Sequence, residues 1–336
     1  MNLTKPYQVC DQRYKTKNFY KRCGKSGIKL PKVSLGLWHN FGENDDLQNQ
    51  KKLIQTAFDN GITHFDLANN YGPPPGSAET NFGKILRDDL SAYRDELILS
   101  TKAGYGMWEG PYGDFGSRKY LIASCDQSLK RMNLDYVDIF YHHRPDPDTP
   151  LEETMSALDH LVKSGKALYI GISNYSETEA LKAIRILEGL GTPCLIHQLR
   201  YNMLYAKPQE DVLPSLFQAG VGSIVYSPLA QGLLSNRYRN AIPKGSRAER
   251  KDSPFLSHHE VETHQSIIHN LTTLSEKRGQ TLTQLALAWC LRLESVTSVL
   301  IGVSTTEQIK ENLKACDHTD FTEDELNEIS RICQKG

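Results

Sequence analysis

Short apolar runs alternate with longer segments of helical periodicity along most of the chain. Residues 33–38 form an apolar run, and the apolar side chains from Leu53 to Phe58 then repeat at helical spacing until Asn60 and Gly61 end the segment. The unit recurs, and each helix returns the chain to begin a new strand, which predicts parallel strands. The predicted strands are 33–38, 63–67, 97–101, 136–141, 167–172, 194–197, 222–226 and 298–301. After the first helix, the predicted helices are 78–86, 120–132, 151–163, 178–190, 212–218, 266–277, 283–293 and 306–314.

Eight such units follow one another without a linker, so we predict one α/β domain over residues 1–336, a (β/α)8 TIM barrel. An open doubly wound sheet would usually stop at five or six strands. Upstream, residues 20–23 and 28–30 flank the turn 24–27 and predict a hairpin that plugs the barrel floor. Residues 322–332 predict an extra capped helix at the C-terminal end.

Composition narrows the class of partner. The 336 residues are 39% hydrophobic, and 39 basic side chains against 40 acidic ones give a formal net charge of -1. No field exists that would hold a nucleic acid or an anionic membrane, and no long apolar stretch suggests a signal or a membrane span. The seven cysteines form no CxxC pair and predict reduced thiols and no metal site. We expect a cytoplasmic protein with a small-molecule partner.

Ionisable side chains stand where predicted strands end, which is where barrel enzymes carry their active sites. Asp66 and Tyr71 follow the second strand, Lys102 ends the third, and His143 follows the fourth. Singly, each is more often half of an ion pair or a packing residue. Together, on adjacent strands, they supply a carboxylate, a phenol, an ammonium and an imidazole that can converge on one point.

This set suits hydride delivery to a carbonyl group. A phenol is a poor proton donor at neutral pH unless a cation favours its ionised form, and Lys102 can be that cation for Tyr71. Asp66 would keep the ammonium charged and fixed. His143 would donate a hydrogen bond to the carbonyl oxygen as negative charge develops there.

The four residues resemble the Asp-Tyr-Lys-His tetrad of the aldo-keto reductases. The resemblance runs from about residue 20 to the C-terminus, and it implies NADP(H) as cofactor, a small carbonyl compound as substrate and Tyr71 as proton donor. It also implies a homo-oligomer, a tetramer or an octamer. The cofactor residues that it implies are Trp38, Asp66, Ser173, Asn174, Gln198, Tyr226, Ser227, Leu229, Gln231, Arg237, Gly302, Ser304, Gln308, Glu311 and Asn312.

Several of these positions also have a direct physical interpretation. Ser173, Asn174 and Gln198 are short polar groups at strand ends that can hold a carboxamide, and the resemblance places the ring of Tyr226 against the nicotinamide. Gly302 and Ser304 lead into a helix N-terminus, which favours a phosphate. Many family members carry a basic residue in this turn. Here Ser304, Thr305 and Thr306 stand instead, so a preference for NADP over NAD rests on hydroxyls, N–H groups and Arg237.

Substrate contacts are expected from Trp38, Tyr71 and His143. A phosphorylated substrate would need a cation near the mouth, for which Arg118 and Arg144 are the candidates. The glycine-rich stretch between Lys102 and Arg118 is too irregular for a helix and is predicted to line the barrel mouth. Its aromatic residues are Tyr105, Trp108, Tyr112 and Phe115.

Residues 36–42 and 69–79 resemble the branch of bacterial L-glyceraldehyde 3-phosphate reductases, which also reduce methylglyoxal and are similar to potassium-channel β-subunits. In those subunits an Asn stands at the position of His143, so the imidazole favours reduction over the alternative, an NADPH-binding regulatory subunit. His142 is a neighbouring imidazole, but the motif selects the residue directly before Arg144. An aldolase or isomerase using Lys102 as a Schiff base would not need the cofactor segments.

Two further motifs are set aside. Gly24-Lys25-Ser26 resembles the end of a phosphate-binding loop, but Phe19 stands where the first glycine would be, so a turn is predicted. Residues 258–264 suggest a metalloprotease helix, but Thr263 occupies the place of the second histidine. We predict a solvated polar loop there.

Overall fold

Parallel strands that close into a barrel form the centre of the molecule. The computed structural model describes residues 7–239, 242–244, 246, 248–249 and 256–334. Within them, eight parallel strands pair in the closed order β10-β3-β4-β5-β6-β7-β8-β9, which confirms the predicted fold. The barrel strands are β3 Val33–Gly36, β4 His64–Asp66, β5 Ile98–Ala103, β6 Val137–His142, β7 Ala167–Ser173, β8 Cys194–Arg200, β9 Gly222–Tyr226 and β10 Ser298–Ile301, and an antiparallel hairpin precedes them as β1 Tyr20–Arg22 and β2 Lys29–Pro31.

Helices surround the barrel and begin at capping residues that the sequence supplies. Ser176, Thr281 and Thr322 each accept a backbone N–H with their side chains and form capping boxes. The last of these opens the predicted extra C-terminal helix. The helices of the described residues are α1 Leu47–Asp59, α2 Ser77–Ile85, α3 Arg118–Met132, α4 Leu151–Lys163, α5 Glu177–Gly189, α6 Val212–Ala219, α7 His258–Thr263, α8 Gln265–Lys277, α9 Leu282–Leu291, α10 Thr306–Leu313 and α11 Glu323–Cys333.

The prediction of a polar loop over residues 258–264 is wrong. His258–Thr263 is the helix α7, because Ser257 and Glu260 form a reciprocal capping box at its start. Val261 anchors the helix by being fully buried. Within the described residues, no group of three or more His, Cys, Asp or Glu side chains is arranged to hold a metal ion.

The hairpin closes the N-terminal end of the barrel, as predicted. Cys23 and Leu30 are fully buried in an apolar cluster with interior residues of four barrel strands, among them Ile139 and Ile224. The backbone N–H of Lys25 donates to the carbonyl of Gly220 at 2.8 Å, directly before β9. No helix within the described ranges is long and apolar enough to cross a membrane.

Candidate active site

The four candidate catalytic residues converge at the C-terminal ends of neighbouring strands. Asp66 ends β4, Lys102 lies near the end of β5, and His143 directly follows β6. Tyr71 stands in the loop after β4. Asp66 pairs in register with Ser100 of β5, so its side chain and that of Lys102 lie on the same stretch of the barrel mouth.

Lys102 is the centre of the site. Its Nζ lies 2.5 Å from Oδ2 of Asp66, 2.6 Å from the carbonyl oxygen of Leu67 and 3.3 Å from the hydroxyl of Tyr71. An ammonium has three hydrogens, so these contacts use all of them. Both members of the ion pair are fully buried. The pair is therefore held in one geometry, with the phenol as its third partner.

Asp66 accepts two further sets of hydrogen bonds. The hydroxyl of Ser100 donates to its Oδ1 at 2.6 Å, and the amide of Gln198 lies 3.3 Å from both of its oxygens. We predicted Gln198 only as a cofactor residue, and Ser100 was not predicted at all. A usable signal was present, because residues two apart on a strand share a face, and Ser100 is two residues before Lys102.

Burial decides the protonation state of Tyr71. It raises the pKa of the phenol well above the ordinary value of 10, and the negative charge of Asp66 adds to the rise. Burial also lowers the pKa of Lys102, which Asp66 opposes. Loss of solvent thus sets the direction of the shift in the pKa of Tyr71, and the expectation that Lys102 favours the ionised phenol stays a prediction. Tyr71 keeps its proton through the physiological range.

His143 stands beside the phenol as a neutral imidazole. Its ring is edge-on to Tyr71, with 6.0 Å between centroids, and edge-on to Tyr105 at 4.7 Å. Burial lowers its pKa well below 6.5, and the charges of Lys102 and Arg144 act in the same direction. Its Nδ1 is buried and has no hydrogen-bond partner among the described residues.

The neighbouring His142 is engaged elsewhere. Its Nδ1 lies 2.6 Å from the hydroxyl of Tyr175, which follows β7. Burial lowers its pKa to about 4. The structure therefore brings His143, and not His142, to Tyr71.

Aromatic side chains form the wall around these groups. Trp38 stacks on Tyr71, with 5.8 Å between ring centroids. Tyr105 lies under the guanidinium of Arg144, 4.4 Å from its ring centroid, and Arg144 is fixed by two contacts of 2.8 and 2.9 Å to Asp114. The glycine-rich stretch thus lines the mouth at Tyr105, whereas Tyr112 is 56% exposed.

The predicted carboxamide residues meet at the other side of His143. The side-chain amide of Asn174 donates to the carbonyl of His143 at 3.0 Å and to the hydroxyl of Ser173 at 3.2 Å. The hydroxyl of Tyr226 donates to Oδ1 of Asn174 at 2.8 Å. Tyr226 ends β9 and is half-buried. These contacts tie the tetrad to the predicted nicotinamide region.

The loop after β9 holds three side-chain-bearing residues in the left-handed region. Ser227, Ala230 and Gln231 have φ angles of 51°, 46° and 60°. Such conformations cost on the order of 1–3 kcal/mol each, and they cluster where a protein holds a ligand. The carbonyl of Ser227 accepts from Asn202 at 2.9 Å, and Leu229 is half-buried between the strained positions. The loop contains three of the predicted cofactor residues, Ser227, Leu229 and Gln231.

The segment between β10 and α10 forms the second half of the predicted cofactor site. A Cβ built on Gly302 meets no described heavy atom within 4 Å, which leaves room for close approach of a ligand. The N–H of Ser304 donates to the side-chain oxygen of Gln308 at 2.8 Å. Glu311 accepts from Thr281, so its carboxylate also braces α9. Asn312 is buried, and Arg237 is exposed on the turn Asn236–Tyr238.

These residues fit a nicotinamide dinucleotide. His143 offers a buried ring nitrogen without a partner among the described residues, Gly302 leaves space for close approach, and Ser304 with its neighbours offers hydroxyl groups at a helix N-terminus. The helix dipole suits a phosphate there, although Glu307 stands in the first turn.

Two arginines named as candidates for a substrate phosphate are committed to other contacts. Arg144 bonds Asp114, and Arg118 donates to the hydroxyl of Ser156 at 2.7 Å. The sequence interpretation missed Arg200, which ends β8 in register with Tyr226 at the mouth. Its side chain is exposed and lies over the ring of Tyr205 at 5.1 Å.

The mouth of the closed parallel barrel thus carries a buried Asp-Lys-Tyr chain beside a neutral histidine, an arrangement that can give a proton to a carbonyl group. Residues 32–334 match the sequence profile of the aldo/keto reductase family, and the chain belongs to that family. It is therefore an oxidoreductase.

Two relatives match this chain over most of their length, and a solved structure matches its fold. The chain is 54% identical over 321 residues to L-glyceraldehyde 3-phosphate reductase of Escherichia coli K12, covering 94% of this chain and 93% of the relative. It is 37% identical over 304 residues to a probable voltage-gated potassium channel subunit beta of Arabidopsis thaliana, covering 89% and 91%. Among solved structures, the thermostable aldo-keto reductase Tm1743, in complex with the inhibitor epalrestat, superposes with a TM-score of 0.72 at 28% identity, covering 93% of this chain and 99% of that one.

Proposed function

We propose that the protein reduces small aldehydes and α-ketoaldehydes to alcohols with NADPH, and that L-glyceraldehyde 3-phosphate and methylglyoxal represent its substrates. The observation that carries the proposal is the buried chain from Asp66 through Lys102 to the hydroxyl of Tyr71, beside a neutral His143. The name of the Escherichia coli relative, L-glyceraldehyde 3-phosphate reductase, supports an aldehyde as the substrate.

Each residue of the tetrad has a separate role in the reduction of the carbonyl group. When bound, the nicotinamide supplies the hydride that reaches the carbonyl carbon. Tyr71 holds its proton before the reaction and gives it to the carbonyl oxygen as negative charge develops there. Lys102 stabilises the phenolate left behind, and Asp66 holds the ammonium in place. His143 donates a hydrogen bond that orients the oxygen.

The cofactor would be held at both halves of the mouth. Tyr226 would lie against the nicotinamide, with Ser173, Asn174 and Gln198 at its carboxamide. Family members use NAD(P)H, and we propose NADPH because Ser304 and the exposed Arg237 can both serve a 2′-phosphate. Those two positions are far apart in sequence, one after β10 and one after β9.

We propose Arg200 as the cation that receives the phosphate of a phosphorylated aldehyde. It is exposed at the end of β8, and its guanidinium makes no hydrogen bond with another described residue, whereas Arg144 is already paired. Because Arg200 has no ion pair within the described residues, its guanidinium can bind a phosphate without breaking any of the ion pairs described there.

The test is oxidation of NADPH and, separately, NADH by the purified protein with glyceraldehyde 3-phosphate, unphosphorylated glyceraldehyde and methylglyoxal. We expect turnover with all three aldehydes and a higher kcat/KM with NADPH. Arg200→Met should raise KM for the phosphorylated aldehyde by roughly tenfold, because a hydrogen-bonded charge pair is lost. The same variant should leave KM for methylglyoxal within about twofold, since methylglyoxal carries no phosphate.

Two outcomes would contradict the proposal. Equal kcat/KM with NADH would reject the cofactor preference. Tight NADPH binding without turnover of any of the three aldehydes would reject the reductase and favour a nucleotide-sensing subunit, as the similarity to the plant channel subunit suggests.

A further inference from the structure

A continuous chain of buried polar side chains runs through the barrel interior and ends at Asp66. Ser298 and Ser34 share a hydrogen bond of 2.7 Å between their hydroxyls. The hydroxyl of Ser34 lies 2.9 Å from Nδ1 of His64, and Nε2 of His64 lies 2.9 Å from the hydroxyl of Ser100. Ser100 then donates to Asp66. All five side chains have zero solvent exposure.

The direction of every hydrogen bond in this chain is determined by its last member. An ionised carboxylate only accepts, so Ser100 gives its single hydrogen to Asp66. The oxygen of Ser100 must then accept from His64, which places the imidazole hydrogen on Nε2. Burial lowers the pKa of His64 to about 4, so the ring is neutral and its Nδ1 accepts.

The same logic continues to the far end. Ser34 must donate to Nδ1 of His64, and Ser298 must donate to Ser34. Each group therefore directs its hydrogen towards Asp66, and the aligned dipoles stabilise the carboxylate charge in a region without solvent.

The five side chains of this hydrogen-bonded chain have no contact with solvent, so the chain does not carry protons between solvent and Asp66. Within the described residues, Ser298 makes no other side-chain hydrogen bond. Leu300, two residues further along β10, belongs to the apolar cluster that contains Cys23 and Leu30 of the hairpin plug. The role left for this hydrogen-bonded chain is to hold its hydrogen-bond donors in a fixed arrangement that points towards Asp66.

We propose that His64, as the neutral tautomer protonated on Nε2, is a positioning residue for the proton donor. It fixes the Ser100 hydroxyl on Asp66 and thereby aligns the Asp66–Lys102 pair with Tyr71. This inference rests on the proposed reductase function, because the aligned phenol matters only if it gives its proton to a substrate. His64 stands two residues before Asp66 on β4 and Ser100 two residues before Lys102 on β5. The two side chains together support Asp66, since His64 contacts Ser100 and Ser100 donates to Asp66.

His197 provides the matched comparison. It is an equally buried histidine on a barrel strand, β8, and burial lowers its pKa to about 3. Its Nε2 accepts from the backbone N–H of Tyr175 at 3.1 Å, and it has no hydrogen bond to Asp66 or Lys102. Replacing it removes a buried imidazole without touching the chain.

The first arm of the test uses the pair His64→Gln and His64→Leu. Glutamine offers one donor and one acceptor, whereas leucine of similar size offers neither. We expect His64→Leu to lower kcat by roughly tenfold, because the hydrogen-bonded alignment of a charged pair is lost. His64→Gln should recover most of that loss. The Kd for NADPH should stay within about twofold in both variants, since His64 and Ser100 are not among the predicted cofactor residues.

His197→Leu and Ser100→Ala complete the set. His197→Leu should lower the melting temperature as much as His64→Leu does while leaving kcat within about threefold of the unaltered protein. Ser100→Ala should lower kcat by at least as much as His64→Leu. The proposal is overturned if kcat follows the melting temperature across all four variants, or if His64→Leu keeps its full kcat.

The second arm does not depend on activity. Nitrogen-15 NMR of the imidazole rings reports which nitrogen carries the hydrogen. We expect His64 to be neutral and protonated on Nε2 at pH 7 and at pH 5.5. Protonation on Nδ1 would overturn the proposed direction of the hydrogen bonds even if the protein is an active reductase. If His64 has the expected tautomer but the protein reduces no aldehyde, the proposed reductase function is rejected instead.

Discussion

The neutrality of the groups that face the substrate is the main chemical property of single residues at this site. Burial raises the pKa of Tyr71 and lowers that of His143, so the phenol is protonated and the imidazole is uncharged at neutral pH. A proton donor must hold its proton before the reaction, and a neutral imidazole can donate one hydrogen bond without adding a charge. Full charges at the centre are carried by the ion pair of Asp66 and Lys102.

This neutrality predicts a flat pH profile in the reducing direction. The pKa of His143 lies well below 6.5, so the ring is uncharged above that pH, and the raised pKa of Tyr71 keeps the phenol protonated up to alkaline pH. We expect kcat/KM for methylglyoxal to change by less than about twofold between pH 6 and 8.5. The measurement is the rate of NADPH oxidation under first-order conditions in substrate across that range. An acid limb with its inflection near the ordinary histidine value of 6.5 would contradict the assignment of His143 as a buried neutral group.

At this scale the sequence predicted which ionisable side chains meet at the barrel mouth. Asp66, Lys102 and His143 stand where apolar runs end, which a strand-end rule detects. The direction of the pKa shift of Tyr71 could not be predicted, because it depends on how fully the folded barrel removes water from the phenol. His64 and Ser100 carried a period-two signal that the strand-end rule does not include.

Strands and helices of this chain carry most of the information needed to place the site. The bounds of β9, β10 and α4 were predicted to the residue, because glycine, proline or hydroxyl residues stand at or next to their ends. β8 was predicted too short, and it extends to Arg200, which is why the exposed arginine at the mouth was missed. The six-residue α7 was missed because so short a helix shows little periodicity, although its Ser257-x-x-Glu260 capping box was readable.

The hairpin turn is the element where one substitution should separate stability from activity. Gly24 has a φ of +55°, and a side-chain carbon added there would overlap the backbone of Gly220 at the start of β9. We expect Gly24→Ala to lower the free energy of unfolding by about 2 kcal/mol or more, through strain and displacement of the plug. The active site lies at the opposite end of the barrel, so kcat of the folded protein should be unchanged.

Gly27, in the same turn, is the control. A side-chain carbon added to Gly27 meets no described atom within 4 Å, so Gly27→Ala should change stability by less than about 1 kcal/mol. Urea denaturation followed by circular dichroism measures both variants. Equal stabilities of the two variants would show that the hairpin does not plug the barrel as described.

At the scale of the whole molecule, the barrel brings together groups from distant parts of the chain. Asp66 and Gln198 are 132 residues apart and share hydrogen bonds, and Ser34 and Ser298 are 264 apart. The regular succession of strands and helices made the fold predictable without knowledge of these contacts. The contacts themselves were not predictable in the same way, because they depend on which side chains face the barrel interior at the same height.

The central claim is that Tyr71 gives the proton while NADPH gives the hydride. The most direct measurement is transfer of deuterium from NADPH labelled at the transferred position to methylglyoxal, with Tyr71→Phe and Tyr201→Phe measured beside the unaltered protein. Tyr201 is also a buried phenol, but its hydroxyl bonds Gln209 and Arg292. We expect labelled alcohol from the unaltered protein and from Tyr201→Phe, and a loss of about a hundredfold or more in Tyr71→Phe with NADPH binding retained. Retained turnover in Tyr71→Phe would contradict the assignment of the proton donor, and absence of labelled product from the unaltered protein would contradict the reductase itself.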